Sequence, residues 1–286
     1  MIIVSIFSKH EDFIELQYNS IKKHIKNDYE YVVLNNASTE TQIKLNEEMC
    51  GELGVKCVRI DSNQFKDPSN IAGEALNQML GIFKGETIFK IDSDMFFMSD
   101  IDLKTLLSKN DILYLPAFSG NPLKEWMWSG VFGLNTNIVN TPINCRPSNG
   151  FDTFGESRFF IDNHTNRIKK LNLFGLQTLR DGIITTSCNN DCVVTFNKEG
   201  EVIFAEKPDY LTRYDIEIPN LYEKYINIIE YLDKNGFPQP YMLDIITVDN
   251  IDTIIHFKSA SWESFSDDNT HIKKIALKKL LTDDTI

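Results

Sequence analysis

The stretch Gly85-Glu86-Thr87-Ile88-Phe89-Lys90-Ile91-Asp92-Ser93-Asp94-Met95-Phe96-Phe97 decides how the chain is read. A glycine suited to closing a helix precedes a short apolar run. The run ends in two carboxylates, and three more apolar residues follow. A run of this length between a glycine and a polar turn reads as a buried strand, Thr87–Ile91. Two carboxylates between apolar segments repel each other and resist desolvation. A divalent cation relieves both costs, and hard oxygen ligands suit Mg2+ or Mn2+. The plainer alternative is a pair of solvated loop acids. The chain carries its own control, because Asp100-Ile101-Asp102 repeats the spacing. That second pair precedes a helical stretch, Asp102–Leu107, so its acids are expected to cap a helix.

Upstream, two periodicities alternate. Ile2–Phe7 is an apolar run. Phe13, Ile14, Leu16, Ile21 and Ile25 follow at helical spacing. Tyr31–Leu34 is a second run, ending in Asn35-Asn36-Ala37-Ser38. Ile43–Leu53 reads as a helix closed by Gly54, Val55–Ile60 as a strand, and Ala72–Phe83 as a helix closed by Gly85. Strands and helices alternating with short connections predict an α/β fold with a mostly parallel sheet covered on both faces. Ligands of such sheets bind beyond the carboxyl ends of the strands. That rule selects Ser8–His10, Asn35–Ser38 and Asp92–Asp94.

Downstream the pattern loosens. Ile112–Leu115 and Val131–Leu134 read as strands, residues 140–155 as loop, and Ser157–Leu173 as a helix. Val193–Phe196 and Glu201–Phe204 flank the turn Asn197-Lys198-Glu199-Gly200, a hairpin signal. Ile254–Phe257 is a late strand, and His271–Leu281 an amphipathic basic helix.

Composition removes several classes of function. With 29 Lys+Arg against 41 Asp+Glu, the net charge of −12 argues against broad contact with a nucleic-acid backbone. No apolar run approaches the roughly 20 residues that span a bilayer. Met1–Phe7 lacks a basic n-region and is read as a strand rather than a signal peptide. The five cysteines, Cys50, Cys57, Cys145, Cys188 and Cys192, are odd in number, so reduced thiols and a cytoplasmic location are expected. A zinc site from Cys188 and Cys192 lacks a second pair, which favours a structural role for both.

Gly85–Asp94 resembles the strand and Asp-x-Asp metal motif of GT-A fold glycosyltransferases, especially the family-2-like group. Ser5-Ile6-Phe7-Ser8-Lys9 is similar to that family's first nucleotide loop, and Val33–Thr39 to the end of its second strand. Asn77 falls where the family often has an asparagine in a later helix. The resemblance covers roughly residues 1–100. It departs at Asn35-Asn36, which replaces the usual acids, and at Leu76, which replaces an arginine.

The resemblance implies a GT-A, Rossmann-like sheet with helices on both faces and a smaller acceptor-side subregion. Residues 1–100 would form the nucleotide-sugar-binding half. Residues 101–270 would form the acceptor-binding, metal-completing half of the same domain, and 271–286 a basic helix or tail. It implies a donor nucleotide sugar, a UDP-sugar first, contacted by Phe7, Ser8, Lys9, Asn35, Asn36, Asn77, Asp92, Ser93, Gly130 and Lys258. It implies Mn2+ or Mg2+ held by Asp92, Asp94 and His256, the last within a late His256-Phe257…Trp262 segment. Gly155-Glu156-Ser157 is similar to a Gly-Glu-Asp motif whose acid serves as base. Ser157 stands in the Asp position, so Glu156 is the candidate, with Asp191 the rival and a helix-terminal acid the plain alternative.

Trp128-Ser129-Gly130-Val131 resembles a strand beside the donor sugar. There Gly130 would let the backbone approach a ligand. Trp126, Trp128 and Trp262 are candidates for stacking on sugar rings, against ordinary burial.

A glycan or another hydroxyl acceptor is the expected partner. Three rivals stay open: a sugar nucleotidyltransferase, a non-catalytic sugar-binding module of the same fold, and a glycosyltransferase acting on a modified nucleic-acid base. The first normally carries a glycine-rich loop after its first strand, where this chain has Ser8-Lys9-His10-Glu11. The basic tail (Lys273, Lys274, Lys278, Lys279) reads as a helix packed on the domain, with peripheral membrane contact as the alternative.

Overall fold

The structure, a computed structural model, describes residues 1–119, 124–135, 138, 143–147, 152–163, 167–178, 183–188, 192–206, 218–234, 242–257, 278–279 and 281. The chain forms two compact units. The first holds Met1–Met95 and Asp100–Leu171, the second Phe96–Ser99 and Asn172–Ile286. Both units therefore draw on residues from either side of position 100.

In the first unit the predicted alternation is present. β1 (Ile2–Phe7), α1 (Asp12–His24), β2 (Glu30–Asn35), α2 (Glu40–Leu53), β3 (Lys56–Arg59), α3 (Pro68–Ile82) and β4 (Ile88–Ile91) follow one another. Next in this unit come α4 (Leu103–Lys109), β6 (Ile112–Ser119) and β7 (Lys124–Leu134). A 3-10 turn (Gly155–Ser157), α5 (Arg158–Asn163) and β8 (Ile168–Lys170) follow. The sheet runs β3-β2-β1-β4-β7-β6-β8. β1 pairs parallel with both β2 and β4, and β7 runs antiparallel to β4 and β6. Strand order thus reverses direction at β1 and β4, the place where a doubly wound sheet opens a crevice for ligands.

Alternation along the strands assigns the two faces. Ile2, Val4, Val32 and Leu34 pack with Ala75, Leu76, Met79 and Leu80 of α3. Ser5 and Asn35, on the other face, bond to Gln17 of α1 and Asn46 of α2. Helices therefore cover both sides.

α3 begins four residues before the expected Ala72. Asp67 caps it by accepting from Asn70 N at 2.9 Å, and Pro68 fills the first turn, where its missing N–H costs nothing. α2 is capped by Thr39 and closed by Gly54 in the left-handed conformation. Of the control pair, one acid behaves as expected and the other does not. Asp102 accepts from Thr105 N at 2.8 Å as the N-cap of α4.

Asp100 instead meets His24 Nδ1 at 3.1 Å and Lys26 Nζ at 3.4 Å. Burial lowers the His24 pKa. Its hydrogen bond to Asp100 opposes that shift, and the charges of Lys23 and Lys26 add to it. The folded state therefore binds the His24 proton less readily than the unfolded chain. This contribution is present above the unfolded value of about 6.5 and is lost as pH falls below it. The urea midpoint is expected to drop between pH 7.5 and 5.5, and by less in His24→Gln. An equal drop in both would reject His24 as the source.

The expected helix over 157–173 is not formed. α5 ends at Asn163, and the chain turns to strand so that Ile168 pairs with Ile112 of β6. Asn163-His164-Thr165-Asn166 are weak helix formers, and the pairing takes over from local propensity.

The second unit is built on a second seven-stranded sheet. Its order is β12-β11-β10-β9-β13-β14-β5, with β5 (Met95–Phe97), β9 (Asn172–Thr178), β10 (Ile184–Cys188), β11 (Cys192–Phe196), β12 (Val202–Glu206), β13 (Met242–Val248) and β14 (Ile251–Phe257). α6 (Ile218–Lys234) belongs to it. The hairpin at Asn197–Gly200 forms as expected, with Asn197 Oδ1 accepting from the amides of Glu199 and Glu201. Among the described residues, no helix is long and apolar enough to cross a membrane.

Candidate active site

The Asp92–Asp94 turn lies at the carboxyl end of β4 in the first unit. Met95 N donates to Asp92 O at 3.1 Å, which closes the turn. Asp94 is 4% exposed, while the Asp92 side chain is 40% exposed.

Two side chains that the sequence did not single out hold this turn. The first is Gln17 of α1, fully buried. Its amide nitrogen donates to Asp92 O at 2.8 Å and Met95 O at 2.7 Å. Its oxygen accepts from Ser5 Oγ at 2.5 Å and Tyr31 OH at 2.7 Å. One amide thus ties β1, β2 and the acidic turn together, and burial holds the Tyr31 phenol well above its usual pKa. The helical spacing contained the clue: Gln17 is four residues from both Phe13 and Ile21, on the buried stripe.

The second is Lys90, 2% exposed in the middle of β4. Its ammonium donates to Asp92 Oδ1, to Ser129 O at 2.6 Å and to Gly130 O at 3.2 Å. The desolvation cost that the sequence alone charged to a missing cation is in part offset here by a lysine. Period-two alternation places Lys90 beside Ile88 on a packed face, and a buried ammonium there requires an acid nearby.

Around this turn the candidate residues divide. Phe7 is buried, and its carbonyl accepts from Asn36 N at 2.7 Å, joining the ends of β1 and β2. Ser8 is exposed, and the loop after β1 turns through His10 at φ 60°. Ser93 is half-buried. Asn35 and Asn36 turn inward. Asn35 donates to Ile43 O at 2.9 Å and accepts from Asn46 Nδ2 at 3.0 Å. Asn36 Oδ1 accepts from Ser62 Oγ at 3.0 Å and Ser62 N at 3.2 Å. Where acids were expected, these amides knit the end of β2 to its neighbours.

On β7, Trp126 is buried and Trp128 half-buried. A Cβ on Gly130 would collide with the Trp128 indole. The missing side chain at Gly130 thus makes room for that indole, two residues away on the same face of the strand.

Asn77 and Glu156 are brought to one loop. Asn77 Oδ1 accepts from Cys145 N at 2.8 Å, and Glu156 Oε2 accepts from Asn144 N at 3.0 Å. Arg146 lies 3.8 Å from Glu74 and over the Phe65 ring. Burial, with Glu156 and Glu74 adding, raises the Cys145 thiol pKa. Ser157, which stands where the family pattern has an acid, is buried and accepts from Met127 N at 2.9 Å, fastening the 3-10 turn to β7.

His256 belongs to the second unit. Its Nδ1 lies 2.9 Å from Asp244 Oδ2, and both residues are buried. Ser187, Gly175, Asp244 and His256 are register partners across β10, β9, β13 and β14, so they form one polar row. An imidazole that donates Nδ1–H to a carboxylate presents its lone pair at Nε2. Asp191, Lys258 and Trp262, and the tail apart from Lys278, Lys279 and Leu281, lie outside the described residues.

Among the described residues, no three or more His, Cys, Asp and Glu side chains gather into a ready metal cage. A hard ion held by one or two carboxylates and completed by phosphate oxygens and water requires none. The donor set of Asp92 and Asp94 fits an ion of that kind.

No protein-family profile matches the sequence, and no curated protein matches it. Solved structures do resemble it in part. The mannosyltransferase PcManGT of Pyrobaculum calidifontis, in complex with GDP-Man and Mn2+, has a TM-score of 0.32 and 15% identity, over 40% of this chain and 34% of that one. A protein of Bacillus anthracis assigned as a glucose-1-phosphate thymidylyltransferase has a TM-score of 0.42 and 8% identity, over 59% of this chain and 86% of that one. TarS of S. aureus has a TM-score of 0.31 and 20% identity, over 40% of this chain and 21% of that one. The chain thus spans about a third of the length of the mannosyltransferase and about a fifth of TarS.

Proposed function

We propose that this chain is a glycosyltransferase that moves a sugar from a nucleoside diphosphate sugar, a UDP-sugar first, to a hydroxyl acceptor with the help of Mn2+ or Mg2+. The observation that carries this reading is the acidic turn at the strand-order reversal, braced by Gln17 from below and by Lys90 from the side. The motif resemblance of Gly85–Asp94 points the same way. Asp94 and Asp92 would hold the ion, which when bound would neutralise the departing diphosphate. The bracing of the turn would keep both carboxylates at one corner of the sheet. Glu156, anchored through Asn144, would take the proton of the acceptor hydroxyl as the oxocarbenium-like sugar is attacked.

A thermal-shift series of nucleotide sugars with and without Mn2+ tests the reading. A ligand at about 100 times its Kd adds roughly 2.7 kcal/mol of stability. One nucleoside diphosphate sugar is expected to raise the midpoint only when Mn2+ is present. A response to a nucleoside triphosphate with a sugar 1-phosphate would instead identify a nucleotidyltransferase.

Glu156→Gln keeps an oxygen to accept from Asn144 N, so the loop should stay in place. Loss of a general base is expected to lower transfer by about 10²- to 10⁴-fold with donor binding unchanged. Wild-type transfer in that variant would move the role to Asp191 or to a mechanism without a base.

A further inference from the structure

We propose that Lys90 is a positioning residue that reserves the Asp92 carboxylate and sets the charge of the acidic turn, so that a divalent ion binds together with a diphosphate rather than alone. This rests on the reading of the turn as a metal–diphosphate site. Lys90 is almost completely buried, and its three N–H donors meet three acceptors: Asp92 Oδ1 and the carbonyls of Ser129 and Gly130. No solvent is needed to satisfy the ammonium, and its aim is fixed from two strands. β7 supplies two of the acceptors just beyond its ladder with β4, which ends at the Ile91–Val131 pair.

The electrostatic consequence follows. With Lys90 on Asp92 the turn carries one unit of negative charge less than it would without the lysine. A unit charge a few ångströms from a divalent ion is worth about tenfold in affinity even at the dielectric constant of water, and more where water is excluded. The ion alone is therefore held weakly. A diphosphate adds the negative charge that the lysine removed, and the ion becomes tightly held only with it. Asp92, pinned by the ammonium, keeps one orientation through both states.

The test is titration of the purified protein with Mn2+ alone, followed by the electron paramagnetic resonance signal of the free ion. Wild type is expected to bind Mn2+ weakly, and at least about tenfold more tightly in the presence of UDP. Lys90→Gln retains N–H donors for the β7 carbonyls but removes the charge. It is expected to tighten Mn2+ binding in the absence of nucleotide by about 10-fold or more, a gain that shrinks at high salt. Lys90→Arg keeps the charge and is expected to stay weak. Adding Asp94→Asn to Lys90→Gln should remove the gain.

A purely structural lysine predicts the opposite, a lower melting midpoint and weaker Mn2+ binding in Lys90→Gln, and that result would overturn the proposal. If Lys90→Gln does not fold, the wild-type arm decides: equal Mn2+ affinity with and without UDP overturns it. A gain in Lys90→Gln beside an absence of sugar transfer would keep this inference and reject the glycosyltransferase reading, so the two failures are separable.

Discussion

Asp94→Ala is expected to lower metal-dependent donor turnover by roughly 10³-fold, since metal charge stabilisation at a departing diphosphate is worth several kcal/mol. The fold should survive the change. Asp94 is a buried carboxylate just beyond the end of β4, outside the ladder of that strand. The measurement is initial-rate hydrolysis of the nucleotide sugar over a Mn2+ series, beside a thermal melt. Turnover that stays at the wild-type rate would reject the metal role of the turn. A loss accompanied by unfolding would show a structural residue instead.

Gln17→Leu is expected to cost stability more than any other change of similar size. The leucine fills the space but leaves Ser5 Oγ, Tyr31 OH and the carbonyls of Asp92 and Met95 without the amide they bond. Buried polar groups that lose a partner cost about 1–3 kcal/mol each, with relaxation reducing the sum, so a net loss of about 3–5 kcal/mol is expected. At about 2–4 °C per kcal/mol for a chain of this size or somewhat smaller, the midpoint falls by roughly 6–20 °C. Urea unfolding followed by circular dichroism gives the number. A loss below about 1 kcal/mol would contradict the role of Gln17 as the brace of the acidic turn. Transfer by the folded fraction should fall too, because a shift near 1 Å in a reacting group costs about 10²-fold.

The first sheet was legible because its signals are local. Apolar runs of strand length, helices with caps, and Gly54 as a closing residue all report on their own neighbourhood, and a parallel sheet needs little more. The second sheet was mostly hidden. β9 pairs with β13, far away in sequence, and the pairing of Phe174 with Ile245 leaves no trace in either segment alone. One signal was available: Asp249-Asn250 between two apolar runs. Both residues adopt positive φ, 52° and 63°, the requirement of a two-residue hairpin turn.

At the candidate site, the acidic turn was visible as a motif, whereas its supports were not. Neither Lys90, inside the run that carries the motif, nor Gln17, among the helically spaced Phe13, Ile14, Leu16 and Ile21, was singled out. Each is a polar residue at a buried position, and such residues mark places where a fold commits a side chain to one task. Asn35 and Asn36 illustrate the converse. They stand in a ligand-facing position by sequence, but both ends of the Asn35 amide and the Asn36 side-chain oxygen are bonded within the protein.

The most direct measurement of the central claim is a crystal of the full chain grown with Mn2+ and UDP, with the ion located by anomalous scattering. The account predicts a manganese peak bound to the Asp94 carboxylate at the end of β4, with the diphosphate on it. An anomalous map with that corner empty while nucleotide is bound elsewhere would contradict it.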